Sequence, residues 1–304
     1  MTHESESPYH HIVQSLFVNL AISVAKGIVA VVTSSGAMLA ETIHSVADCF
    51  NQLLLLWGVR VSSAPTTRRH PFGKGRETYF WSFIVALLLF SGGGIFSIYE
   101  GLHKLSHPEP VTNLGWAIGV LLFALILEGW STVSNIGEIN RRRGRQQFYR
   151  YLVDTKDADL IVVFGENLAA TLGLLVGLLA VLFTTFTENL AYDALGSIII
   201  GLLLVAVAVF IAREVKSLIV GESADPLLAE IVGDVVKGEP NITEILNLVT
   251  LQQGPGQVVL HLKIAFQSDI SITEACNIIN RIEADIKKVR PEVRWCFVEP
   301  DIPR

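Results

Sequence analysis

Glu41-Thr42-Ile43-His44-Ser45-Val46-Ala47-Asp48 sits between Ser34-Ser35-Gly36-Ala37-Met38-Leu39-Ala40 and Leu53-Leu54-Leu55-Leu56-Trp57. In a helix, positions 41, 44, 48 and 52 share one face. Glu41, His44, Asp48 and Gln52 therefore draw a polar stripe along an otherwise apolar rod. A carboxylate near the centre of a bilayer costs at least about 2.5–3.5 kcal/mol on insertion scales. A chain that carries such a stripe through a membrane has a use for it, and ion handling is the usual one.

Composition agrees with a membrane setting. The 304 residues are 51% hydrophobic and 17% charged, with a net charge of −6; a soluble domain carries about 25% charged residues. Mean hydropathy is +0.48. From Glu214 to Arg304 the chain has 14 acidic and 9 basic residues, an ordinary soluble mixture. The first 213 residues instead hold long apolar runs with charge confined to the gaps. The organisation expected is a membrane domain over 1–213 followed by a soluble domain over 214–304. Cys49, Cys276 and Cys296 lack a CxxC spacing and cannot form a closed disulfide set, which suits free thiols in a reducing compartment. The polar, acidic start is unlike the basic start of a signal peptide, so the first apolar segment is expected to stay in the mature chain.

A spanning helix needs about 20 mostly apolar residues. Six segments qualify: 12–34, 39–62, 78–103, 113–135, 159–185 and 190–212. Ser34-Ser35-Gly36 marks a tight turn between the first two. Arg60, Arg68, Arg69, Lys74 and Arg76 lie in the second-to-third connection, and Arg141, Arg142, Arg143, Arg145, Arg150 and Lys156 in the fourth-to-fifth. The third-to-fourth connection has only Lys104, and the fifth-to-sixth has no basic residue. The positive-inside rule then places both basic loops and both termini in the cytoplasm. The Arg141–Arg145 cluster reads as this topology signal rather than as a nucleic-acid patch. Gly173 and Gly177 form a GxxxG, a sign of close helix packing.

Beyond Arg213 the pattern changes. Asp225-Pro226 opens a short helix, 227–236. Segments 242–251 and 258–266 read as strands around a Gly254-Pro255-Gly256 turn, the second with visible alternation. Ser271-Ile272-Thr273-Glu274 is a capping box that starts a helix with apolar Ala275, Ile278, Ile279, Ile282 and Ile286. A last strand runs over 293–298. The order αββαβ predicts a small α+β domain with its helices on one sheet face.

His44 and Asp48, four residues apart, can reach one ion from a single helical turn; an intramembrane hydrogen-bonded pair is the plainer alternative. Glu41, nearer the external end, reads as lining the approach together with Gln52, and Cys49 as packing. One helix cannot close a tetrahedral site. The fifth span offers Glu166 and Asn167, with Glu166 about 10 Å deeper than Asp159 at 1.5 Å per residue. Glu128 in the fourth span is a further candidate, and Asp193 marks the external start of the sixth. The loop Arg69-His70-Pro71-Phe72-Gly73-Lys74-Gly75-Arg76 lacks P-loop spacing and follows no strand, so a phosphate-binding reading is set aside.

These residues together resemble the cation diffusion facilitator family of zinc and other divalent-cation transporters. The resemblance rests on HxxxD in the second span and His70-Pro71-Phe72-Gly73-Lys74-Gly75-Arg76 before the third. Asp193-Ala194-Leu195-Gly196-Ser197 in the sixth span and the αββαβ C-terminal domain complete it. In detail the chain is similar to the branch of the mammalian ninth zinc transporter, whose fifth span carries Glu-Asp in place of the usual HxxxD. The resemblance implies six transmembrane helices, a ferredoxin- or metallochaperone-like cytoplasmic domain used for dimerisation and regulation, and a homodimer. It also implies a metal site at His44 and Asp48 completed from the fifth span. There the family's Asp position falls on Asn167 and its His position on Val163, and adjacent Glu166 can supply the missing anion. Of the family's loop site only His70 is kept, with Thr67 and Lys74 at the other positions. The family's cluster in the soluble domain would draw on His261, Cys276 and Glu299, with Phe297 in place of a His.

The function implied is alternating-access efflux of a cytosolic divalent cation in exchange for protons, with no cofactor beyond the transported ion. One His with carboxylate and amide oxygens is a hard site; Zn2+ suits it, and Mn2+, Fe2+ and Co2+ are also compatible. Partners are the metal ion, protons, the lipid bilayer and a second copy of the chain, with no nucleic acid. The setting is an integral, multi-pass membrane protein, in the plasma or inner membrane if bacterial. A transport-inactive paralogue that senses metal or assembles with another protein is the alternative, favoured by Val163 and Asn167. A membrane metalloprotease or lipid hydrolase is disfavoured, since neither HExxH nor GxSxG occurs.

Overall fold

The computed structural model describes residues 8–62, 64–108 and 113–303; the acidic start, 1–7, lies outside the described residues. The elements are α1 (Pro8–Thr33), α2 (Gly36–Ser62), α3 (Glu77–Leu88), α4 (Phe96–Ser106), α5 (Leu114–Arg143), α6 (Phe148–Asp154), α7 (Ala158–Thr187) and α8 (Ala191–Val220). They are followed by α9 (Pro226–Lys237), β1 (Ile242–Gly254), β2 (Gln257–Phe266), α10 (Ile272–Val289) and β3 (Val293–Pro300). Two compact units result. One holds the described residues through Gly58, Trp81–Tyr151 and Asp159–Glu214; the other holds Val59–Phe80, Leu152–Ala158 and the chain from Val215 onward.

In the helical unit, four helical stretches among the described residues are long and apolar enough to cross a membrane: Glu77–Ser106, Gly115–Arg143, Ala158–Thr187 and Ala191–Val220. α1 has 26 residues, of which Asn19–Thr33 forms an apolar stretch among the described residues, and α2 has 27 residues but carries the polar stripe. The Glu77–Ser106 stretch is continuous. A π-helical segment, Leu89–Ile95, joins α3 to α4, and the Phe96 N–H reaches back to the Ser91 carbonyl, five residues earlier. This segment meets α8 at backbone distance, because a Cβ on Gly201 would lie 2.7 Å from the Gly94 carbonyl oxygen. Val29 and Ala30 of α1, Met38 of α2, Leu121 and Ala124 of α5, and Leu174, Leu178 and Val181 of α7 form one buried apolar cluster. The Arg141–Arg143 run, expected in a loop, closes the last turn of α5 instead. There it suits the negative end of the helix dipole, and Glu138 pairs with Arg141 and Arg142.

In the second unit the strand order is β1-β2-β3. β1 and β2 are antiparallel through the Gly254–Gly256 hairpin, with Gly256 at φ 61°. β2 and β3 are parallel, which requires a crossover, and α10 supplies it. Val258, Leu260, Leu262 and Ile264 of β2 face Leu228, Val232 and Val236 of α9 and Ile278, Ile282 and Ile286 of α10. Burying each such side chain contributes about 1.5–3 kcal/mol, so the αββαβ order follows from period-2 and period-3.6 faces meeting. Both helix starts are capped: the Asp225 side chain accepts the Leu227 N–H at 2.9 Å, and Ser271 Oγ accepts the Glu274 N–H at 3.2 Å.

The opposite sheet face carries Trp295 and Phe297, and Phe72 packs edge-on against both, with ring centroids 5.5 and 6.4 Å away. The His70–Arg76 segment is therefore a docking loop on the sheet. Gly75 completes it, since a Cβ there would sit 2.7 Å from the Gln253 carbonyl oxygen.

Candidate cation site in the helical unit

Helix α2 is held in place at its first turn. Ser34 takes a left-handed conformation, φ 54°, and Ser35 Oγ accepts the Met38 N–H at 3.2 Å as an N-cap. Asp193, at the start of α8, accepts from Ser35 Oγ at 2.5 Å and from the Gly36 N–H at 2.6 Å. A buried carboxylate thus sits on the positive end of α2. Lys104 of α4 donates to the Ser34 carbonyl and lies 3.6 Å from Asp193. Asp193, read from sequence as the start of a span, is also the group that fixes the register of α2.

Below that cap the stripe faces inward. Glu41, His44 and Asn51 are fully buried, while the Asp48 side chain keeps 17% exposure. His44 Nε2 lies 3.6 Å from Asp48 Oδ2, too long for a hydrogen bond. Both ring nitrogens of His44, Asp48 Oδ1, Asn51 Oδ1, Gln52 Oε1 and Glu41 Oε1 are buried without a hydrogen-bond partner. Buried polar atoms are nearly always satisfied, so a run of unsatisfied ones along one helix needs a reason. Imidazole nitrogen and carboxylate, amide and carboxamide oxygens are ligand atoms for a divalent cation, and the residues fit that use.

The structure brings α7 to this stripe through Glu166, whose Oε1 accepts from Asn51 Nδ2 at 2.6 Å. Asn51 is three residues from Asp48, so Glu166 joins α2 one turn away from the His44–Asp48 pair. Asn167, the next residue, points about 100° further around α7. It is only half-buried, and its backbone carbonyl accepts from Thr132 Oγ1 at 2.9 Å. Val163 shares that side of α7 and is 37% exposed. The expected four-residue set His44, Asp48, Glu166 and Asn167 is therefore not drawn together as one shell. Among the described residues no group of three or more His, Cys, Asp or Glu is arranged to hold a metal ion. The face of α7 that turns toward α2 is that of Glu166. Glu128 of α5 is half-buried.

Glu41 is the residue expected to line the approach. It is sealed, and Lys26 of α1 reaches it. Lys26 Nζ lies 3.4 Å from Glu41 Oε2 and donates to Ser45 Oγ at 2.8 Å. Glu41 Oε1 lies against Gly173, where there is no room for a Cβ, and Glu41 Cγ would lie 3.8 Å from a Cβ on Gly177. The GxxxG of α7 thus makes room for a carboxylate of α2. Lys26 and Asn51 are the two functional candidates that the sequence reading passed over. Lys26 is a lone charge in an apolar span, and Asn51 lies at i+7 from His44; both signals were available.

The second unit treats its polar residues differently. His261 Nε2 lies 3.0 Å from Glu299 Oε2, and Lys263 lies 3.1 Å from Glu299 and 3.0 Å from Asp301. Lys263, then His261, hold the Glu299 carboxyl below the usual range, while Asp301 and Glu299 push the Lys263 ammonium up. Cys276 is exposed on α10. α10 packs on the sheet face opposite to His261, because the buried partners of α10 are the alternate residues Leu260 and Leu262. His261, Cys276 and Glu299 therefore do not form one cluster. At the position where a His was expected, Phe297 meets Phe72. Cys296 is buried, and burial pushes its thiol up to about 11. In the loop, Thr67 and His70 exchange backbone hydrogen bonds at 3.1 Å within one turn.

Residues 12–220 match the family model of the cation efflux transmembrane domain, and the chain belongs to that family. It is 31% identical over 242 residues to the Xenopus laevis proton-coupled zinc antiporter SLC30A9, mitochondrial, covering 79% of this chain and 43% of the relative. The Homo sapiens protein of the same name is 30% identical over 240 residues, covering 78% and 42%. Metal tolerance protein C4 of Arabidopsis thaliana is 27% identical over 242 residues, covering 79% and 53%. The chain spans about two fifths of the length of the first two relatives. The resemblance drawn from HxxxD, the loop and the Asp193 motif is borne out, and the antiporters among these relatives are named as transporters, not enzymes.

Proposed function

We propose that the chain carries a divalent metal cation out of the cytosol in exchange for protons, by alternating access around His44, Asp48 and Glu166. The observation that supports this most is the run of buried ligand atoms without partners along α2. The name of the zinc antiporter relatives adds Zn2+ and protons as the expected substrates. Mn2+, Fe2+ and Co2+ remain compatible with so oxygen-rich a donor set. His44 binds as neutral imidazole, and Asp48 and Glu166 bind as carboxylates. A proton on any of them competes with the cation, which is the physical origin of exchange. With only His44 and Asp48 adjacent, α7 must bring Glu166 closer to close the shell, and such a two-position site suits alternating access. Asn167, with its carbonyl held by Thr132, would join only if α7 rotates.

The reading includes six spans, with α1 and α2 crossing beside the four apolar stretches. It also includes basic loops and both termini in the cytoplasm, a membrane domain over 1–213, a regulatory domain over 214–304, and a homodimer. A second reading, a transport-inactive partner or sensor, draws on the outward turn of Val163 and Asn167.

The test is Zn2+ uptake into proteoliposomes under an imposed pH gradient. Wild type should show gradient-dependent flux. Glu166→Gln should weaken metal binding more than Glu128→Gln. No flux by wild type would favour the partner reading; equal losses at 166 and 128 would remove Glu166 from the site.

A further inference from the structure

The Lys26–Glu41 pair is sealed from solvent, with side chains 1% and 0% exposed. Its geometry is poor for a structural bond. An ammonium–carboxylate hydrogen bond runs about 2.7–2.9 Å, whereas Lys26 Nζ stands 3.4 Å from Glu41 Oε2 and spends its close contact on Ser45 Oγ. Glu41 Oε1 has no partner at all. Buried ion pairs are weak stabilisers that well-packed apolar residues often replace without loss. Holding α1 to α2 is thus an insufficient reason for this pair. Apolar contacts already join those helices through Val29, Ala30 and Met38.

The position of the pair supplies a better reason. Ser45 follows His44 directly, and Glu41 lies one turn from His44 toward the capped end of α2, about 4.5 Å along the axis. A cation moving from His44 and Asp48 toward that end passes Ser45, beside His44, and then Glu41, the two groups that Lys26 reaches. We propose that Glu41 and Ser45 form a second, transient divalent-cation subsite on the exit side, and that Lys26 is its tethered competitor. This deepens the transport reading and rests on it. A carboxylate and a hydroxyl are hard and few, so they bind a divalent ion weakly, as a subsite that must also release its ion requires. The ammonium fills the subsite when no metal is there. It is displaced by the doubly charged ion, and it returns as that ion departs, which opposes re-entry from the far side. No bond is made or broken.

The full chain, purified and reconstituted, tests this with Zn2+ alone as probe. Lys26→Met should bind one more Zn2+ per chain than wild type at equilibrium, and Lys26→Met/Glu41→Gln should lose that extra equivalent. Zn2+ release from Lys26→Met should slow by about tenfold, with KM unchanged or lower, because affinity gains appear mainly in off-rates. Lys26→Arg, which keeps the charge, should retain the wild-type stoichiometry. If Lys26→Met does not fold, Lys26→Gln carries the same prediction, since it keeps a donor for Ser45. Wild-type stoichiometry and turnover in the uncharged variants overturn the subsite, as does an extra equivalent that survives Glu41→Gln. Failure of the transport reading looks different: wild type then shows no flux, and His44→Ala loses no bound Zn2+.

Discussion

The molecule contains two clusters built from the same residue types, and they have opposite characters. On the outer sheet face, His261, Lys263, Glu299 and Asp301 are at least partly exposed, and each has a polar partner within 3.1 Å. Along α2, Glu41, His44, Asp48, Asn51 and Gln52 are buried or half-buried, and every one of them keeps a polar atom without a partner. A histidine beside a carboxylate is thus not itself a signal of metal handling. Water and neighbouring charge satisfy the sheet cluster as it stands. The helix cluster has been taken out of water and left incomplete, which is costly unless something else completes it.

Paired substitutions probe that contrast. The largest effect is expected from His44→Ala, which should lower Zn2+ flux in proteoliposomes by at least about a hundredfold, since losing a residue that merely orients a metal ligand already costs about 10–100-fold. His261→Ala should leave flux within twofold of wild type, because the imidazole is exposed and its loss leaves Glu299 paired with Lys263. A reversed order would point to the sheet cluster instead of the α2 stripe.

An intermediate effect is expected where the stripe is anchored. Asp193→Asn removes the charged acceptor at the start of α2 and the partner of Lys104. Denaturation of the detergent-solubilised chain should show a loss of about 1–2 kcal/mol, the range for a charged acceptor at a helix N-terminus. Glu299→Gln, at an exposed ion pair, should lower the same measurement by clearly less. Equal effects would mean that Asp193 is no more committed than a surface carboxylate.

The smallest effect concerns acid. Glu239, held by Arg281 through a two-point contact at 2.5 and 2.8 Å, and Glu299, held by Lys263, both have carboxyls below the ordinary value of 4.5. The unfolded chain therefore binds protons first as pH falls. Their stabilisation is complete above about 4.5 and is lost as pH drops through the lower native values. Thermal melts followed by circular dichroism between pH 6 and pH 3 should show the midpoint falling below pH 4.5. Glu239→Gln/Glu299→Gln should flatten that slope, and an unchanged slope would assign the acid sensitivity elsewhere.

The fold was legible where periodicity is a physical necessity. The capping residues Asp225 and Ser271, the Gly254–Gly256 turn and the alternating β2 residues place the C-terminal elements to within a few positions, because each acts locally. The stripe on α2 was legible for the same reason. What α2 faces depends on contacts between distant segments. Nothing near Lys26 in sequence announces Glu41, and nothing near Asn51 announces Glu166, 115 residues away. At α7 the family's positions and the inward face part by one residue, and the sequence reading named Glu166 beside Asn167. Val163 and Asn167 occupy the family's places, but the helix turns its neighbour Glu166 inward. Phe297, at a position where the family has a His, packs against Phe72, more than two hundred residues earlier.

The π-helical segment at Leu89–Ile95 has a consequence for how the gene can vary. A turn closed five residues back holds one residue more than an α-turn, so the third long helix carries one residue of slack. Removing a single codon at Gly92, where an added side chain would meet nothing within 4 Å, closes the segment into ordinary α-helix. Gly101 and Lys104 then stay on the faces that meet α8 and Ser34. The same deletion within α5 or α7 would swing every later residue of the helix by about 100°. In the α3–α4 stretch, the chain can become one residue shorter and still touch the same neighbours.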